Sequence, residues 1–106
     1  TPEPESPPDP VLPLVISAIE ATIPDEGQTF STITWDTNRA ADSTIEWGLT
    51  VAYGDTVNDP AEVTSHSLDT DTVVGETTYH YRVTSFESAT GLTTVSADQT
   101  FTSGII

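Results

Sequence analysis

Val73-Val74-Gly75-Glu76-Thr77-Thr78-Tyr79-His80-Tyr81-Arg82-Val83 is the stretch that decides the fold. Val73, Gly75, Thr77, Tyr79, Tyr81 and Val83 fall on every second position, and a period of two sends alternate side chains to opposite faces of a β-strand. Tyr79, Tyr81 and Val83 therefore point into a core, while His80, Arg82 and Thr84 point away from it. The stretch reads as a corner at 73–76 that leads into the long central strand, 78–86, of a β-sandwich.

Working outward, the same rhythm marks the other strands. Residues 14–19 form an apolar run that predicts the first strand. In 29–37, Ser31, Ile33 and Trp35 alternate against Thr32, Thr34 and Asp36, which predicts the second strand with Trp35 at the centre of the core. A polar turn is expected at 37–42, followed by a third strand at 43–49 that buries Ile45 and Trp47. Tyr53-Gly54-Asp55 turns the chain, 63–70 offers His66, Leu68 and Thr70 on one side, 88–91 is a turn, and 97–102 is the last strand with Phe101 inward. Together with Val73 these inward positions make the expected core, and the spacing predicts an all-β sandwich of about seven antiparallel strands.

Composition agrees with that class. The chain has 106 residues, room for one domain, and its twenty Thr and ten Ser favour pleated over helical backbone. No Cys is present, so neither a disulfide frame nor thiol chemistry is open to it. Residues 1–13 hold six of the eight prolines with Glu3, Glu5 and Asp9, and read as an extended linker or arm; 14–104 is the globular part and 105–106 a tail. The chain starts at Thr1, shows no charged stretch ahead of an apolar one, and has no apolar run near twenty residues, so it is expected to be a processed or excised piece, soluble as given.

Seventeen acids against two Arg give a formal charge of −15, which repels nucleic-acid phosphates and anionic membranes; neither nucleic acid nor membrane insertion is expected. The acids are scattered singly and read as a solvated surface, or as an adaptation to salty surroundings where self-repulsion is screened.

Catalytic and metal chemistry leave little trace. Structural zinc takes four N or S ligands, and His66 and His80 have no Cys to join them, so His66 is expected to pack and His80 to be exposed. Arg82 is expected to pair with surface acids. Asp55, Asp59, Asp69 and Asp71 lie in short polar segments that could offer oxygens to Ca²⁺, or serve as ordinary solvated acids; no twelve-residue calcium loop is present. Neither a Gly-x-Ser-x-Gly elbow nor a phosphate-cradling Gly-rich loop occurs, and no cofactor and no enzyme activity are expected. Phe30, Trp47, Tyr53 and Phe86 could form a sugar-stacking platform if exposed, or part of the core if not. Val11, Leu12, Leu14, Val15 and Ile16 are apolar for a linker, and either begin strand one or add themselves to a neighbour's open sheet edge.

Ser31-Thr32-Ile33-Thr34-Trp35, Asp42-Ser43-Thr44-Ile45-Glu46-Trp47-Gly48, Tyr53-Gly54, Thr64-Ser65-His66-Ser67, Thr77-Thr78-Tyr79-His80-Tyr81-Arg82-Val83 and Thr100-Phe101-Thr102 together resemble a bacterial and archaeal branch of the fibronectin type III-like domains. They are similar also to the non-catalytic N-terminal domain of purple acid phosphatases, whose catalytic-domain metal motifs this chain lacks. The chain departs in carrying Gly75 where the family usually has Pro, and Trp47 where it often has Tyr. The resemblance implies a Tyr hydroxyl bonding back to the preceding loop, and a secreted or cell-surface setting. It further implies a spacer, adhesion or assembly module working with other protein domains or copies of itself, or an accessory domain that binds glycans beside a hydrolase.

Overall fold

The computed structural model describes residues 12–105; most of the expected arm, Val11 included, and Ile106 lie outside the described residues. The described chain is all-β. Its six strands are β1 (Ile16–Ala21), β2 (Thr32–Gly48), β3 (Asp55–Asp69), β4 (Thr78–Glu87), β5 (Leu92–Val95) and β6 (Gln99–Thr102). Every pairing is antiparallel, and the strands curl into a half-barrel.

The expected turn at 37–42 is not a turn. β2 runs through it without a break and exchanges neighbours there. Residues 33–37 pair with β1 and 32–36 with the end of β3, whereas 44–48 pair with β4 and 43–47 with the beginning of β3. The register slips between Asp36 and Ala41 and again before Ser43, as in a bulged strand that bends between two sets of partners. Polar side chains that would favour a turn here are answered by neighbours. The Asn38 amide donates to the Val15 carbonyl and its side chain accepts from the Val15 amide at 2.9 Å, while Ala41 is fully buried opposite Val63.

Two further boundaries differ from expectation. The 55–59 segment, read as a loop, is the start of β3, so that strand is fifteen residues long; β5, short and without a clear alternation, had no sequence signal. The first strand begins at Ile16 and not at Leu14, although Leu14 is itself buried.

Cross-strand register explains how the core closes. Ile45 faces Val83, Trp47 faces Tyr81, Tyr79 faces Phe101 and Ile33 faces Leu68, so inward positions of adjacent strands meet each other. With Trp35 and Val73 these residues form one buried cluster, and each large side chain withdrawn from water contributes roughly 1.5–3 kcal/mol. Tyr79 stacks on Phe101 at 5.4 Å between centroids and meets Trp47 edge-on at 6.0 Å. Trp35 donates its indole N–H to Ser85 Oγ at 3.0 Å, linking the first half of β2 to β4 through the interior.

At the corner, the Val74 amide donates to the Tyr79 hydroxyl at 2.8 Å. The left-handed residue there is Glu76, with φ 51°, and not Gly75, so the corner does not use the freedom of that glycine.

The Tyr79→Phe variant leaves the half-buried Val74 amide without its acceptor and is expected to lose about 1–3 kcal/mol of stability. Urea denaturation measures the loss, and Tyr81→Phe, whose hydroxyl makes no bond to the corner, should cost clearly less.

Candidate functional site

His66 sits where β2 exchanges partners. Its ring lies parallel to Trp35, 4.9 Å between centroids and 3° between planes, and only 2% of it is exposed. Both ring nitrogens are bonded, Nδ1 to Ser43 Oγ at 2.6 Å and Nε2 to Thr37 Oγ1 at 2.8 Å. The Thr37 hydroxyl already donates to the Arg39 carbonyl at 2.7 Å, so its oxygen accepts from Nε2–H. Burial favours the neutral imidazole, and in that form Nδ1 accepts from the Ser43 hydroxyl. Burial pushes the His66 pKa below its ordinary value, while the carboxylates of Asp36 and Asp42 pull weakly the other way. A Ser beside a His resembles a nucleophile and its base, but here the third partner is a hydroxyl, and Ser43 is buried with the ring. The arrangement seals the bend of β2.

The other basic side chains tie strands together. Arg39 Nε reaches both Glu87 carboxylate oxygens, at 3.0 and 2.8 Å, and its Nη2 donates to the Leu12 carbonyl at 2.7 Å. The Arg39 hydrogen bond, helped by Thr90, holds the Glu87 carboxyl below its usual range. Arg82 forms two bonds to Glu46, its register partner, and its guanidinium lies 4.9 Å from the Tyr53 ring centre. Tyr53 donates to Asp98 at 2.9 Å, and Asp98 meets His80 Nδ1 at 2.8 Å, an interaction that lowers the Asp98 pKa. This chain of side chains pins the 49–54 turn over the sheet. Tyr53 there has φ 59°, and its carbonyl lies so close to Gly48 that an added Cβ would collide with it.

Trp47 and Tyr53 share the wall of a hollow of about 360 Å³ with Thr50, Asp55, Thr72 and Tyr79. The Trp47 indole N–H is buried without a hydrogen-bond partner among the described residues. Phe30 and Phe86 are exposed but do not line this hollow, so it gathers only two of the four sugar-platform candidates. Asp55 and Asp59 lie at the start of β3, Asp69 at its end and Asp71 beyond it; Asp59, Asp69 and Asp71 already accept bonds from Ala61, Thr32 and Thr72. A strand spaces its residues by about 3.3 Å each and so draws these acids out along a line. Among the described residues no group of three or more His, Asp or Glu is gathered in a way that could hold a metal ion.

Of the expected arm residues, Leu14 is buried in its own module and Ile16 belongs to β1, while Leu12 and Val15 are exposed and bonded through their backbones to Arg39 and Asn38. This junction and the Arg39–Glu87 pair form one end of the molecule. At the other end Gly104 and Ile105 bond to Pro24 and Glu26, Val73 to Thr29, and Glu76 to Gly104. The 49–54 turn lies at that end too, since the hollow brings it to Thr72. Ile23, Phe30, Leu49, Val51, Val74 and Ile105, all on these converging loops, are left exposed. In the sequence Phe30 stands out as a possible exposed aromatic and Ile105 as part of the tail, but the convergence of all six depends on the fold.

Comparison with protein-family models, with curated proteins and with solved structures gives no match in any of the three.

A neutral, buried His66 makes stability depend on pH in a definite direction. The unfolded chain takes up a proton near the ordinary histidine pKa of 6.5 and the folded chain resists it, so stability falls as pH drops below about 6.5. Chemical denaturation between about pH 7 and pH 5.5 should show this slope, above the range in which Glu87 and Asp98 are protonated, and His66→Gln should flatten it.

Proposed function

We propose that the chain is a non-catalytic interaction module of a secreted or cell-surface protein, built as a fibronectin type III-like sandwich. The Tyr79 bond to the corner and the exchange of partners along β2, which divides the strands into two sets around one core, support that finer fold. The observation that carries the function is the collection of large apolar side chains on the loops of one end. Several exposed apolar side chains on the loops of one end of an otherwise acidic, hydroxyl-rich domain favour contact with another protein surface. The engagement of all four basic side chains in contacts within the fold supports a structural role over a chemical one.

Screening against phosphate esters, glycosides and carboxylic esters should show no turnover, and saturable hydrolysis would overturn the reading. The apolar end is expected to self-associate weakly once salt screens the charge, as seen by light scattering against protein concentration. A Leu49→Ser, Val51→Ser, Val74→Ser variant should remove that association. Identical scattering from parent and variant would overturn the assignment of this end. Loss of association on deleting residues 1–11 instead would favour a subunit that assembles through its arm into a filament or surface layer.

A glycan-binding reading has one observation behind it: Trp47 and Tyr53 meet Asp55, Thr50 and Thr72 at the same hollow. A glycan panel should then register a neutral sugar whose binding is lost in Tyr53→Ala, and silence across the panel retires it.

A further inference from the structure

β3 is the longest free edge of the fold. Among the described residues eleven of its fifteen positions pair with β2 and none with another strand, so on either side of the bend at 60–64, where Pro60 has no N–H, the outer side of the strand presents backbone N–H and C=O groups with no strand beside them. Eight consecutive residues, 58–65, are exposed, so the strand is open on both faces there as well as along its edge. Such a row of backbone groups can accept an extended segment as an added strand.

The charges along it select what can be added. Asp55, Asp59, Glu62 and Asp69 lie on β3, which carries no cationic side chain. The chain has no Lys, and both Arg are engaged elsewhere, Arg39 with Glu87 and Arg82 with Glu46. A second copy, at −15, has no unpaired Lys or Arg side chain among the described residues to bring to this edge and is repelled by it. Like charges opposite each other on adjacent strands are destabilising and opposite charges stabilising, so the same acids that close the edge to copies open it to a basic strand.

We infer that the outer edge of β3 is a docking site for an extended, Lys- or Arg-bearing segment of a partner protein, which adds as a strand beside residues 55–69. The inference rests on the reading of the chain as an interaction module and names the partner for a second surface of it. The partner supplies main-chain hydrogen bonds for affinity and cations for selectivity.

The test uses the full chain and two short synthetic peptides that alternate Val with Lys or Val with Glu. Fluorescence anisotropy should show saturable binding of the Lys peptide, weakening as salt is raised, and none of the Glu peptide. Amide chemical-shift changes and new protection from hydrogen exchange should fall on β3 and spare β5 and β6. An Asp55→Asn, Asp59→Asn, Glu62→Gln, Asp69→Asn variant keeps the acceptor oxygens used within the fold and should bind roughly tenfold or more weakly. A control with Glu20→Gln, Asp25→Asn, Glu26→Gln and Glu76→Gln carries the same net charge and should bind like the parent. Equal weakening by both variants, perturbation centred away from β3, or no binding of the Lys peptide would each overturn the inference. None of these outcomes bears on the apolar end, which the scattering and turnover measurements decide separately.

Discussion

Everything in this fold depends on one undivided strand having to serve two sets of neighbours. β2 pairs with β1 over its first half and with β4 over its second, and β3 accompanies it throughout. A strand so shared must bend, and a bend in the middle of a sheet leaves backbone groups and a gap in the core to be filled. The flat stack of Trp35 on His66 fills the gap, Ser43 and Thr37 satisfy both imidazole nitrogens, and the Trp35 N–H reaches Ser85 across the interior. Asn38 and Arg39 meet the backbone groups from outside, using the 12–15 segment and Glu87. The polar residues at the bend are therefore structural members, each with an assigned donor or acceptor.

Charge follows a parallel logic. With so few basic side chains, the chain places them where they tie distant parts of the sequence: Arg39 to β4, Arg82 across β2 and β4, His80 to Asp98 beneath the 49–54 turn. The polar side chains left on the described surface are then mostly carboxylate and hydroxyl. Such a surface keeps copies apart at low ionic strength and leaves apolar contact and backbone pairing as the means by which another protein can be held.

Alternation made the core legible and loops hid the rest. Ile33, Trp35, Ile45, Trp47, Leu68, Tyr79, Tyr81, Val83 and Phe101 stand at inward positions of a period-two pattern, and all are buried in one cluster with Val73. The continuity of β2 was not legible, because Thr37-Asn38-Arg39-Ala40-Ala41-Asp42 has the composition of a turn and stays extended only through partners far away in sequence. The pairing of the two serviceable His66 nitrogens with Ser43 and Thr37 is likewise tertiary, as is the meeting of Trp47 and Tyr53 with Thr72. Local pattern specifies which face a side chain takes; it is silent on which distant group will meet it.

The placement of the two ends has a mechanical meaning. β1 starts beside Thr37, next to the junction at Leu12, and finishes beside Ile33, near the loops that hold Gly104 and Ile105. Chain entry and exit thus lie at opposite poles, so a pull along the polypeptide would load the β1–β2 ladder lengthwise. Hydrogen bonds strained that way must slide together and cannot be peeled off singly, so the β1–β2 ladder is the element that would resist such a pull.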